Sequence, residues 1–97
     1  MTQNKNYSTC KFYVETTIEN MERTIEYANT LKDKTKYEKQ DYALWSIDRQ
    51  YNESYGALVF TKCFLHVISQ DDYDVLNDQL YNAYKIIRRN IYKKLKE

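Results

Sequence analysis

The chain has no proline and a single glycine, Gly56. Sharp turns draw on both residue types, because glycine reaches positive φ freely and proline presets φ at about −65°. Their scarcity leaves few, short connections between long regular elements, and an all-β fold with many turns is the architecture it suits least. Two cysteines, Cys10 and Cys63, are too few for a disulfide framework and point to a reducing, cytoplasmic setting. No run approaches the roughly 18 apolar residues that cross a bilayer. Ala57 to Ile68, the most apolar stretch, is interrupted by Thr61, Lys62 and His66. Met1 to Ser8 is polar and lacks the apolar core of a secretion signal, so neither a membrane nor an export role is expected.

What is present is helical periodicity. Val14, Ile18, Met21, Ile25 and Ala28 recur at steps of three and four, which aligns them on one face of a helix. Thr16 and Glu19 form a Thr-x-x-Glu capping signature, so that helix is expected to start there or near Thr9, and to end near Lys32 to Lys34. Thr35 and Glu38 repeat the signature ahead of Tyr37, Leu44, Ile47, Tyr51, Tyr55 and Leu58. Asn52 to Gly56 is a candidate break, and Ala57 to Ile68, apolar on nearly every side, reads as a buried central element. Ser69 and Asp72 give a third cap-like pair before Tyr73, Leu76, Leu80, Ala83, Tyr84, Ile87, Ile91 and Leu95. Acidic Asp71, Asp72, Asp74 and Asp78 open this last helix and basic residues close it, as the helix dipole favours.

Ninety-seven residues make one domain. The sequence predicts an all-α fold, an elongated antiparallel bundle of three helices, or four if the second breaks. Residues 1–8 are expected to form a frayed N-terminus and residues 9–97 a single helical domain. The rival is an α+β fold with a hairpin at about 43–67, since that stretch is rich in β-branched and aromatic residues.

The constellations that carry chemistry are sparse. His66 lies three residues after Cys63, so a helix would set them on one face, but a reactive thiolate needs exposure and a lowered pKa. Burial of this apolar segment is expected to give an inert thiol and a packed imidazole. Structural zinc sites take four ligands at paired short spacings, and a phosphate loop takes several glycines. The sequence therefore predicts no catalytic residues, no metal and no cofactor.

Two charged stripes remain. Net charge is +1. Residues 1–84 carry nine Lys/Arg against thirteen Asp/Glu, a balance of −4, while residues 85–97 carry six against one, a balance of +5. Glu15, Glu19, Glu22 and Glu26 follow steps of four, three and four along one exposed ridge. A solvated face accounts for such a ridge, and so does a docking strip for a basic partner surface, including one that normally holds nucleic acid. Lys85, Arg88, Arg89, Tyr92, Lys93 and Lys96 form the basic counterpart, with Tyr81 and Tyr84 nearby. Cations interleaved with tyrosines suit phosphate contact and base stacking, whereas dipole complementation explains the cations alone.

Eleven tyrosines, three phenylalanines and one tryptophan are more rings than a core of this size needs. Tyr51, Tyr73 and Tyr84 fit apolar faces, whereas Tyr13, Tyr27, Tyr42, Tyr81 and Tyr92 fall off them. Exposed tyrosine is enriched at interfaces. The expected function is a small non-enzymatic protein-binding inhibitor or regulator, with a protein partner or a second copy of the chain forming a homodimer. The alternative is a helical DNA- or RNA-binding regulator that uses the basic last helix. Abundant Lys, Tyr, Asn and Ile with scarce Gly, Pro, Ala and Arg indicates A/T-rich coding. Size and coding bias fit, by analogy, phage or mobile-element accessory proteins that block a host nucleic-acid enzyme or defence complex, as anti-CRISPR-type inhibitors do.

Overall fold

The structure, a computed structural model, describes residues 5–96. It consists of three helices of 25 residues each, α1 (Lys5–Asn29), α2 (Lys36–Phe60) and α3 (Gln70–Lys94), and a π-helical turn (Thr61–Leu65) that continues α2. Each helix is about 37 Å long at 1.5 Å per residue, and the bundle measures 51 × 23 × 18 Å. All three helices pack against one another, with α2 antiparallel to α1 and α3. No strand occurs among the described residues, so the bundle is all-α and the hairpin at 43–67 is excluded.

The core is an aliphatic column. Val14, Met21, Ile25 and Ala28 of α1, Ala43, Ile47 and Leu58 of α2, and Leu76, Leu80, Ile87 and Ile91 of α3 are buried. The three- and four-residue steps mark most of these residues, because such steps keep a side chain on one face. On α2 they also mark Tyr37 and Tyr55, which are 70% and 40% exposed at the edges of that face, and they miss Ala43, which is fully buried. Polar contacts then fix the register. Between α1 and α2, Thr17 and Ser54 share a hydrogen bond of 3.2 Å, and Gln50 Nε2 donates to Thr24 Oγ1 (2.8 Å) and Ser46 Oγ (3.1 Å). At the far end, Asn29 Nδ2 donates to the Lys94 carbonyl oxygen while its Oδ1 accepts from Lys96 N–H. Lys39 is buried, yet its Nζ donates to the Lys96 carbonyl oxygen at 2.8 Å. That carbonyl lies just past the C-terminus of α3, the negative end of the helix dipole, which helps offset the cost of burying an ammonium.

Two of the three capping signatures form. Glu38 N–H donates to Thr35 Oγ1, and Thr35 N–H donates to a Glu38 carboxylate oxygen at 2.9 Å. These bonds hold the Glu38 carboxyl below its ordinary pKa. Ser69 Oγ accepts from Asp72 N–H, with Asp71 and Asp72 in the first turn of α3 and Lys93 and Lys94 in its last.

The Thr16–Glu19 signature does not start a helix. The helix is already running from Lys5, and Tyr7 is buried against the core. Threonines 9, 17 and 24 instead return their hydroxyls to the carbonyl four residues back, which satisfies them inside the helix. The frayed segment expected at residues 1–8 is thus helical from Lys5, and residues 1–4 lie outside the described residues. α1 also stops at Asn29, short of Lys32 to Lys34, where Thr30 and Leu31 N–H donate to the carbonyls of Tyr27 and Ala28.

α2 does not break at Asn52 to Gly56, so the bundle has three helices rather than four. Nor is Ala57 to Ile68 a buried element. Leu58 and Ile68 are buried, while Phe60, Cys63, Phe64, Leu65 and His66 are exposed. A three-helix bundle covers only one side of each helix, so a stretch apolar all round must show its other side to solvent. The chain leaves α2 through the π turn and reverses at His66, which takes the left-handed conformation (φ 55°, ψ 35°).

Gly56 sits exposed in mid-helix, and nothing lies within 4 Å of where a Cβ would stand. Its φ is not positive. Gly56→Ala is therefore expected to stabilise the fold by about 0.5–1 kcal/mol, by reducing the freedom of the unfolded chain. Urea unfolding checks this, and a lower midpoint would mean that α2 is interrupted there.

Candidate functional site

The described residues contain no group of three or more His, Cys, Asp or Glu side chains placed to hold a metal, and no helix is long and apolar enough to cross a membrane. Cys63 and His66 are exposed, contrary to the expected burial, and the π turn and left-handed His66 interrupt the helical face they were expected to share. Cys10 is half-buried, and burial pushes its thiol pKa up, away from thiolate chemistry. Three surface regions carry the exposed charged and aromatic side chains.

The acidic ridge is real and solvent-facing: Glu15, Glu19, Glu22 and Glu26 are all exposed on α1. Glu19 reaches Arg23 at 3.9 Å, an exposed pair worth about 0–1 kcal/mol. Glu22 and Glu26 edge a groove between α1 and α3 whose floor includes Ile25 and Ile87. Phe12, 71% exposed, lies three residues before Glu15 and heads the same ridge.

The second region is the apolar end of the bundle. Phe60 and Phe64, 52% and 71% exposed, stack with ring centroids 5.4 Å apart, and Leu65 beside them is also exposed. Ala57 of α2 and Thr61, the first residue of the π turn, meet Thr9, Cys10 and Tyr13 of α1 in an open groove of about 250 Å3. Thr9 and Tyr13 also line a second hollow on α1 together with Phe12.

The third region lies along α2 and α3. Lys85, Arg88, Arg89, Tyr92, Lys93 and Lys96 are all exposed, but they are not equivalent. Arg88 Nε donates to Asp48 Oδ1 at 3.1 Å, and the Tyr84 hydroxyl donates to the same oxygen at 2.6 Å. Tyr84 stacks on Tyr51, centroids 4.1 Å apart, and Tyr51 also meets Tyr55 and Tyr81. Lys85 Nζ lies 4.7 Å above the Tyr81 ring, and Lys36 Nζ lies 4.2 Å above Tyr92. Tyr84, Lys85, Arg88 and Arg89 line a shallow hollow of about 290 Å3. The main chain of Lys96, by contrast, is engaged with Asn29 and Lys39.

Sequence reasoning missed three features. Asp48, the hub of the α2–α3 network, carried no signal, because the pairing links residues 36 and 40 positions apart. The hydroxyl seam did leave a trace: Ser46, Gln50 and Ser54 are four apart, and Thr17 and Thr24 seven apart. The phenylalanine pair was read as core. Comparison with protein-family models, curated proteins and solved structures finds no match in any of the three.

The Tyr84 phenol is pushed up from 10.0 to about 12 by burial first, then by its bond to Asp48 and the nearby carboxylate charge. The folded phenol holds its proton more tightly than the unfolded one. Its contribution to stability is therefore complete below pH 10 and is lost as pH rises toward 12. Tyr84→Phe is expected to lower stability at neutral pH and to flatten the alkaline fall in melting temperature. An unchanged alkaline fall would mean that Tyr84 titrates like a free phenol.

Proposed function

We propose that the protein is a non-enzymatic protein-binding module, an inhibitor or regulator that acts by covering part of a partner's surface. The observation that carries this reading is the stacked, exposed Phe60–Phe64 pair. Exposed phenylalanines cost solubility, and these two leave half or more of their surface uncovered by the bundle, which favours a use in a complex. Aromatic anchors dominate binding energy where they fill a partner's pocket. A pair already stacked on a helix loses little freedom on docking, which favours affinity.

The acidic ridge supplies the second component. Four carboxylates in a row attract a surface rich in Lys and Arg, raising the association rate more than the final affinity. The fitting partner presents an apolar cleft beside a basic rim. Proteins that handle nucleic acid commonly have such rims, and the A/T-rich coding bias suits a phage or mobile-element accessory protein directed at one of them in the cytoplasm. A second copy of the chain is the competing occupant of the phenylalanine pair.

Affinity capture from the source cells tests the reading. Phe60→Ser with Phe64→Ser is expected to reduce capture of the partner at least tenfold while the circular dichroism spectrum is unchanged. Glu19→Lys with Glu22→Lys is expected to slow association and weaken its salt dependence. Full capture by the phenylalanine variant would remove the reading. A concentration-dependent dimer that this variant abolishes would assign the pair to self-association instead.

A further inference from the structure

The basic end of the α2–α3 face matches a different ligand, and the match is independent of the phenylalanine pair. We infer that this face binds single-stranded nucleic acid. In this arrangement Lys85, Arg88 and Arg89 seat a phosphate, and Tyr81 and Tyr92 stack the bases on either side.

The hollow supplies the first argument. Three cations and a phenol line it, and its wall is rigid because Asp48 ties Arg88 and Tyr84 to α2 through one oxygen. That carboxylate is already engaged by two donors. Arg88 uses Nε for this bond, which leaves the rest of its guanidinium fork for an incoming anion. Lys85 and Arg89, four residues apart, stand along the exposed side of the same helix.

The rings supply the second. Tyr81 and Tyr92 are 44% and 42% exposed and eleven residues apart on α3, about 16 Å along its axis. That span suits a few nucleotides. Each ring has a lysine ammonium at its face, Lys85 over Tyr81 and Lys36 over Tyr92. A nucleotide carries the complementary pair, a flat base joined to an anion. As the ammonium moves to the phosphate, the base can take its place on the ring. An acidic peptide offers the anions but no base, and a duplex keeps its bases stacked inside, so the surplus of rings selects the single strand. Asp74 and Asp78 lie N-terminal to Tyr81 on α3, which confines the footprint to the C-terminal half of the helix.

Fluorescence anisotropy with a labelled short oligothymidine tests this, alongside the same measurement with a duplex and with a polyglutamate peptide. The single strand is expected to bind best. With one phosphate in the Lys85–Arg88–Arg89 seat and a second near Lys36, the affinity should fall with salt at a log–log slope of about −0.7 to −1.4. Lys85→Glu with Arg89→Glu, both at exposed positions, should weaken binding at least tenfold and flatten that slope. Tyr81→Ala with Tyr92→Ala should weaken it about tenfold with the slope unchanged, and Tyr81→Phe with Tyr92→Phe, which keep the rings, should restore it. The inference is overturned if the oligonucleotide does not bind at about 50 mM salt. It is equally overturned if polyglutamate binds as tightly, or if removing the two rings changes nothing.

Discussion

A narrow aliphatic column is the constraint on which the rest of the molecule depends. Three helices packed in mutual contact leave a cross-section of only 23 × 18 Å, little more than two helix diameters. The space between them is filled by Val, Met, Ile, Leu and Ala side chains. Rings do not fit that column without forcing the helices apart, which would cost roughly 1–3 kcal/mol for each overpacked site. Tyr7 is accordingly the one aromatic in the buried core among the described residues. The remaining rings are displaced to the interhelical grooves and the outer faces. A chain this rich in tyrosine and phenylalanine, folded this way, becomes an aromatic surface on a rigid rod.

Each helix interface carries its own polar lock. The Thr17–Ser54 and Thr24–Gln50–Ser46 contacts set α1 against α2, Asp48 sets α2 against α3, and Asn29 and Lys39 gather the far ends of all three helices at Lys94 and Lys96. An apolar column alone tolerates sliding, since one aliphatic contact resembles the next. Hydrogen bonds to named partners do not, because a shifted register leaves buried polar groups unpaired. The consequence for binding is preorganisation. The acidic ridge, the phenylalanine pair and the basic tyrosine face all stand on helices or on the turn that continues one, so docking orders little backbone.

The parts legible in the sequence were those governed by local rules. The cap pairs at Thr35–Glu38 and Ser69–Asp72 form as their spacing requires, and the α3 stripe from Leu76 to Leu95 is the α3 share of the core. Thr16–Glu19 misled because the same spacing also occurs inside a helix, where the backbone N–H groups are already paired within the helix that runs from Lys5. Gly56 misled because a lone glycine weakens a helix without ending it. Ala57 to Ile68 misled for a deeper reason: hydrophobicity reports a tendency to leave water, and whether a neighbour is there to cover the segment is decided by the packing of distant elements. The same limit hid Asp48, whose partners lie on another helix. Both charged stripes were located correctly as exposed faces. Sequence did not distinguish Arg88, held by Asp48, from Lys85 and Arg89 beside it.

The central claim is that the exposed rings serve the surface and not the fold. Urea unfolding of a single variant carrying Phe12→Ser, Trp45→Ser, Phe60→Ser and Phe64→Ser tests it most directly. These four rings are 52–71% exposed. The account requires a small combined change, on the order of the ±0.5 kcal/mol typical of each surface substitution. A loss of several kcal/mol, on the scale of emptying a core site such as Leu80, would contradict it and return those rings to the interior.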